Sequence, residues 1–329
     1  MGRSANIVAK APGKFILLGE HAVSRGHPAI VCAVDKYMTT EVELIDEATN
    51  VYDRSIDDDV KIELVDLGYF GNLKDNQADS KVTKSLQVIK KAFELCHVSA
   101  SKLAKITVTS DIHMGSGMGS SAAFCVSVAA ALCRISTSLC DERKVFEIAR
   151  ELEHIFHGFS SGLDVFASVY GGCLVYRLNC SDVTRPSLSG KVMIIDSLVQ
   201  RSTKNVNKLF IDQNGKDLPE ARKKFEAIGE IIERFLSHDL TIFEAINQNG
   251  NILSSLGLMV PEMKAICRIL SKYNYACKLT GAGLGGCMIA YSSDTFSDAC
   301  IQEIIQNGFS IITTIDLCNP PSGLQVTAE

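Results

Sequence analysis

A glycine-rich stretch, His113-Met114-Gly115-Ser116-Gly117-Met118-Gly119-Ser120-Ser121-Ala122-Ala123, constrains this chain more than any other segment. It follows a β-like run, Ile106 to Thr109, and opens into an apolar, helix-like run from Phe124 to Cys133. Alternating glycines let backbone approach a ligand without Cβ clashes. A helix start just beyond them aims unpaired N–H groups and the positive end of a dipole at the same spot. That combination favours a bound phosphate. The G-x-x-x-x-G-K-[ST] spacing of a P-loop is absent from the chain. The alternative is a plain strand-to-helix turn whose serines cap the helix.

The chain has 329 residues, 46% of them hydrophobic, enough for two packed domains. A net charge of −5 with scattered basic residues argues against a nucleic-acid partner. The twelve cysteines never occur as C-x-x-C, and no Cys/His cluster has zinc-finger spacing. His154 and His157 stand outside the H-E-x-x-H pattern of zinc hydrolases. Free, mostly buried thiols in a reducing compartment are expected. No apolar signal segment opens the sequence, and the run around Ala122 to Ala131 is too short to span a bilayer. The expectation is a cytoplasmic protein that engages no membrane.

Short β-like runs are expected at Asn6 to Ala11, Phe15 to Leu18, Ala29 to Val34, Thr39 to Ile45 and Lys61 to Leu67, with a polar, solvated loop over 46–59. Val82, Leu86, Ile89 and Phe93 predict an amphipathic helix over 81–97. Another is predicted from an N-cap at Asp141 to a stop at His157-Gly158. Linker-like composition near residue 180 divides the chain into 1–188 and 189–329. The second part reads as strand Lys191 to Asp196, helices near 203–211, 220–237, 240–256 and 261–273, and strand Ala276 to Thr280. Strand Cys287 to Tyr291, helix Phe296 to Asn307 and strand Ser310 to Ile315 follow. Runs of strands interrupted by helices indicate an α+β fold rather than a doubly wound sheet.

Three further segments carry reactive residue types. Gly281, Gly283 and Gly286 formally satisfy G-x-G-x-x-G, but a strand-like run follows where a dinucleotide fold needs a helix. The loop either supports the other loop's ligand from the opposite domain or is a structural hairpin. In Lys10-Ala11-Pro12-Gly13-Lys14 the chain stiffens and turns just before Lys14 enters a strand, a junction from which an ammonium can reach a cleft. Most lysines simply sit in water, and Glu20 and His21 share that bland alternative. Ser161-x-x-Asp164 fits a capping box, and Glu153 fits an exposed helix flank. A transferase would instead use one carboxylate to hold Mg²⁺ and the other to take a substrate's proton.

Taken together, Lys10 to Val23, Met114 to Ala123 and Lys278 to Cys287, with the acidic block ending at Asp164, resemble the motifs of the GHMP small-molecule kinases. Ala11-Pro12-Gly13-Lys14 with Gly19-Glu20-His21-Ala22-Val23 is most similar to that family's mevalonate kinase branch; galactokinases typically place arginine where Lys14 stands. Arg201-Ser202-Thr203-Lys204 resembles the segment with which that branch holds substrate.

The resemblance implies a two-domain α+β fold, ribosomal-protein-S5-like then ferredoxin-like, with the active site between. It implies ATP and mevalonate as substrates, Mg²⁺ as cofactor and a place in isoprenoid biosynthesis. Gly115, Ser116, Gly117, Met118, Gly119, Ser120 and Ser121 would wrap the ATP phosphates, with Ser110 a further nucleotide contact. Ser121 and Glu153 would hold the metal, Asp164 would be the base, and Lys14 would lower the hydroxyl's pKa or neutralise the transferred group. Lys14, Glu20, His21, Arg201, Thr203 and Ala282 would contact substrate. Two positions depart from many relatives: Ser160, where proline is common, and Met118, where leucine is. A proline would fix the backbone before the capping turn, so Ser160 is expected to leave it looser. Another acceptor, such as phosphomevalonate or homoserine, or a nucleotide-binding sensor without turnover, are the alternatives. A homodimer is left open.

Overall fold

Pro12 and Gly13 interrupt the first β-like run in sequence but not in space. In the computed structural model of the chain, strand β1 runs from Asn6 to Leu18, with a register shift against its neighbour between Pro12 and Lys14. A bulge absorbs the residues that fit no regular ladder, so two expected strands are one. The next two expected strands likewise merge into β2, Ala29–Leu44. The structure describes residues 6–44, 60–67, 69–72, 80–99, 103–112, 116–137, 140–158, 160–180, 182–200, 206, 209–212 and 215–328. The polar stretch 46–59 lies outside them, as does most of the helix expected near 203–211.

Strands β3 (Lys61–Leu64), β4 (Tyr69–Asn72), β5 (Leu103–Ser110) and β6 (Cys173–Tyr176) complete much of a first sheet. A 3-10 turn, Val65–Leu67, cuts β3 short of its expected end. Pairing is antiparallel except between β3 and β5. Helices α1 (Ser80–Cys96), α2 (Ser120–Ser136), α3 (Glu142–His157) and α4 (Leu163–Tyr170) belong to the same half. Every residue of α2 from Ala122 to Cys133 is buried, because β1, β2, α1, α3 and α4 all pack on it. Its small residues permit that close approach on every side. Asp141 caps α3 through Arg143 N and Lys144 N, and Gly158 ends it at φ 75°, as the sequence predicts.

The second half begins with β7 (Lys191–Asp196), followed by α5 (Pro219–Leu236), α6 (Ile242–Ser255) and α7 (Pro261–Lys272). Then come β8 (Ala276–Leu279), β9 (Cys287–Ser292), α8 (Asp298–Gln306) and β10 (Ser310–Asp316). The four strands form an antiparallel sheet in the order β10-β7-β9-β8, the ferredoxin-like arrangement. No described helix is long and apolar enough to cross a membrane. None of the twelve cysteines forms a disulfide, and seven of them are buried.

A last strand, β11 (Gln325–Ala328), returns from the second half of the chain to the first sheet. It pairs antiparallel with β1, Lys10 opposite Gln325 and Ile7 opposite Ala328, and so belongs to the first sheet. The returning segment crosses the end of α4 through backbone alone: Gly172 N donates to Pro321 O and Leu324 N to Val169 O, at 2.7 and 2.9 Å. At Gly323 there is no room for a side chain, since a Cβ would lie 2.2 Å from Val169 O. Gly323→Ala is therefore expected to destabilise by about 1–3 kcal/mol or more through overpacking. At Gly308 nothing lies within 4 Å of a Cβ, so Gly308→Ala should cost only the strain of its φ of +84°, about 1–2 kcal/mol. Denaturant midpoints compared at equal slope test this order; a larger loss at Gly308 contradicts it.

Candidate active site

The bulge in β1 delivers Lys14 to the underside of the glycine loop. Its backbone N–H donates to Met118 O at 2.9 Å and its ammonium to Gly117 O at 3.2 Å. The same ammonium lies 3.1 Å from Asp164 Oδ1, and Lys14 is only 3% exposed. Contact this close needs small residues on both sides. A Cβ at Gly13 would sit 2.7 Å from Met118 O, and one at Gly119 would sit 3.0 Å from Lys14 Cγ.

Gly119, in the left-handed region at φ 74°, caps α2 with no side chain on the first N–H groups. Those donors open instead onto a cavity of about 400 Å³. Gly117, Gly119, Ser120, Ser121 and Asp164 line its polar side. Met38, Leu64, Val108, Phe124 and Phe156 line an apolar side, suited to a flat ring system. Ser110 also faces the cavity, its hydroxyl held in a tight turn with Ile112. Ser116 and Met118 are buried beneath the loop, while Gly115 lies outside the described residues.

Two carboxylates serve the polar side differently. Asp164, in the first turn of α4, is partly open, with its side chain 31% exposed. Gly162 is the cap residue of that helix, and Ser161 Oγ accepts from Leu163 N at 3.4 Å rather than from Asp164 N. The capping-box reading of Ser161 and Asp164 is therefore corrected: the aspartate faces Lys14 and the cavity. Glu153, on α3, is buried, which pushes its pKa up to about 8, with the Asp164 charge adding to the rise. Ser160 Oγ donates to Glu153 Oε2 and accepts from Gly162 N at 3.0 Å. The serine expected to loosen this turn instead ties it to the buried carboxylate.

Ser121 shares a 2.9 Å hydrogen bond with His157 Nε2. A hydroxyl and a carboxylate are hard oxygen ligands of the type Mg²⁺ takes alongside nucleotide phosphates. Glu153 has an independent need for such an ion, because a cation beside it would stabilise its ionised form against burial and Asp164. The residues present thus fit the metal. Among the described residues no three His, Cys, Asp or Glu side chains form a metal-binding group of their own.

Glu20 is not on the cavity. It is completely buried and ion-paired with Lys278 of β8, which also donates to Ile16 O and Leu279 O. Burial raises the Glu20 pKa and lowers that of Lys278, each opposed by the partner's charge. In place of the expected substrate contact, Oε1 meets the lysine, while Oε2 is buried with no hydrogen-bond partner among the described residues. His21 adopts a left-handed φ of 62°, and its Nε2 lies 2.9 Å from Ala282 O of the second glycine loop. A strand, β9, follows that loop, which rules out the dinucleotide arrangement. Arg201 and Thr203 lie outside the described residues.

Sequence reasoning missed the apolar side of the cavity, together with Lys81, Ser85 and His157. Its residues come from β2, β3, β5, α1, α2 and α3, and no local pattern announces their convergence. His157 carries a signal, its position in the acidic block, but the sequence alone gives it no role beyond ending a helix.

Comparison with known proteins agrees with this geometry. Residues 81–172 match the model of the GHMP kinases N terminal domain, and residues 226–310 match that of the GHMP kinases C terminal. The mevalonate kinase of Pyrococcus abyssi is 26% identical over 333 residues, covering 94% of this chain and 95% of that protein. That of Aeropyrum pernix is 29% identical over 317 residues, covering 93% and 94%. The crystal structure of Methanococcus jannaschii mevalonate kinase superposes with a TM-score of 0.75 at 21% identity, covering 95% of this chain and 99% of that one. With both family domains matched in order, the glycine loop and Asp164 lining one cavity and Lys14 bonded beneath them, the chain belongs to the GHMP kinase family.

Proposed function

We propose that the protein is a mevalonate kinase, moving the γ-phosphoryl group of ATP to the 5-hydroxyl of mevalonate to give 5-phosphomevalonate and ADP. The observation that carries this reading is the Lys14 ammonium held between Asp164 Oδ1 and the Gly117 carbonyl, directly under the phosphate-type loop. Full-length similarity to mevalonate kinases supports the acceptor. Phosphoryl transfer asks for positioning and charge neutralisation more than covalent chemistry, and this site is built for both.

In the proposed reaction, the N–H groups at the start of α2 and the hydroxyls of Ser120 and Ser121 cradle the phosphates, and adenine lies on the apolar side with Phe124 and Phe156. Asp164 takes the hydroxyl proton as that oxygen bonds the γ-phosphorus and the bond to the ADP oxygen breaks. Lys14 neutralises charge on the transferred group and holds Asp164 in place through their ion pair. Ser121 and Glu153 would hold Mg²⁺, which would supply further neutralisation of the phosphate charge. His21 and the Ala282 loop border the acceptor side, where Arg201 and Thr203 would bind the mevalonate carboxylate and hydroxyl.

Asp164→Asn should lower kcat by about 10²–10⁴, the loss expected for a general base, with nucleotide affinity nearly unchanged. ADP release with mevalonate, phosphomevalonate and homoserine, measured for both proteins, checks base and acceptor together. Turnover only with another alcohol keeps the kinase and replaces the substrate; ATP binding without turnover on any alcohol points to the sensor.

Glu153 gives a pH prediction. Its carboxyl holds a proton in the folded protein up to about pH 8, against a reference value of 4.5, so the native state binds the extra proton between those limits. Stability of the metal-free protein should therefore fall as pH rises through that window. Glu153→Gln should flatten the fall, giving a higher Tm than wild type at pH 8.5 and little difference near pH 5. Parallel Tm–pH curves for the two proteins would refute the buried, neutral carboxyl.

Ser160 supplies the tie between the two carboxylates' segments. Ser160→Ala leaves buried polar groups bare and should cost about 1–3 kcal/mol while raising the Mg²⁺ concentration needed for half-maximal rate. Ser160→Thr keeps the hydroxyl and should restore the wild-type Mg²⁺ titration. Identical titrations for all three proteins would leave Ser160 without this role.

A further inference from the structure

Six of the twelve cysteines stand in pairs, and the pairs differ in how water reaches them. Cys32 and Cys173 lie opposite each other in the β2–β6 ladder, and both are buried. Cys96 and Cys133 bring their sulfurs to 3.5 Å between α1 and α2, again both buried. The third pair is different. Cys277, on β8, donates its S–H to Cys267 Sγ on α7 at 3.2 Å, and both residues are partly exposed. Of the three, this pair combines sulfur contact with access from solvent.

We propose that Cys267 and Cys277 form a thiol–disulfide modification site, oxidised by a peroxide and restored by a small-molecule thiol. The inference does not depend on the kinase reading. The hydrogen bond makes the two sulfurs unequal: the Cys277 S–H pulls the Cys267 pKa down and holds its own up. Cys267 is thus the nucleophile and Cys277 the resolving thiol. The Cys267 thiolate attacks one peroxide oxygen, the O–O bond breaks, and hydroxide leaves, giving a sulfenic acid. Cys277 sulfur then attacks that sulfenic sulfur. The S–S bond forms, the S–O bond breaks, and the Cys277 proton leaves with the oxygen as water. Two thiols and one hydrogen peroxide give one disulfide and two waters.

Reaching a bond of roughly 2.05 Å from 3.2 Å requires a closing movement of about 1 Å between the sulfurs. The resulting bond would strap α7 to β8, the strand whose Lys278 crosses to Glu20. In a reducing compartment the resting form is the dithiol, and the disulfide is the transient one.

The test uses the intact, reduced protein. It is treated with about one equivalent of hydrogen peroxide, unfolded, alkylated with iodoacetamide and mapped by mass spectrometry. The expected result is loss of two of the twelve thiols, a Cys267–Cys277 cross-linked peptide, and full recovery with dithiothreitol. In Cys277→Ser, a cyclic dione should instead trap the sulfenic acid on Cys267. Cys318, which is exposed, serves as the internal control. Oxidation first at Cys318, Cys140 or Cys180, with Cys267 and Cys277 still alkylated, overturns the proposal. So does peroxide-treated Cys267 carrying only higher acids and no cross-link in the wild-type chain.

Discussion

The two halves of the molecule are joined by a charge that has no water. Lys278 and Glu20 are both fully buried, and the ammonium's three donors are met by Glu20, Ile16 O and Leu279 O. Such a pair adds little net stability over an apolar contact, because desolvation offsets most of the attraction. Removing one partner is another matter, since a lone buried charge costs several kcal/mol. The pair therefore specifies a register rather than strengthening a core. Beside it, Thr280 Oγ1 accepts from Ile16 N and donates to Ile16 O, and Asn249 Oδ1 accepts from Gly19 N. The end of β1 is thereby fixed against the second sheet on several hydrogen bonds, and with it the backbone that carries Lys14 and His21.

That fixed strand explains how opposed charges are assembled without collapse. Lys14 meets one carboxylate, Asp164, that keeps contact with the cavity, while a second, Glu153, is withdrawn behind Ser160. The two acids thus stand in different environments, one paired with a lysine at the cavity and one buried, where burial raises its pKa. Electrostatic preorganisation of this kind is set by the fold before substrate arrives, so little rearrangement is needed at the reacting atoms.

Much of this was legible in the sequence where the determinant is local. Asp141 and Gly158 bound α3 at the expected residues, since caps and left-handed stops depend on a few neighbouring atoms. The glycine loop was legible for the same reason, whereas Lys14 and Asp164 stood out only through the resemblance to a kinase family. What escaped was decided by distant partners. β6 exists because β2 offers it an edge, and β11 because β1 does. Ser161 looked like a cap, but Gly162 at φ 82° took that place. Glu20 looked available to substrate until a lysine from the far end of the chain occupied it. Ser160 is the instructive case, because replacing a rigid ring by a hydroxyl removed one constraint and added two hydrogen bonds.

The pairing of Lys10 with Gln325 also bears on how the chain is made. β1 is made well before β11, and the edge that β11 covers stays open until the two strands meet. During that interval an unpaired strand rich in aliphatic residues is a template for other chains. Closure of such a distant contact is slow, because loop entropy is paid before the contact returns anything. β11 thus shields an edge of β1 that would otherwise stay open to other chains.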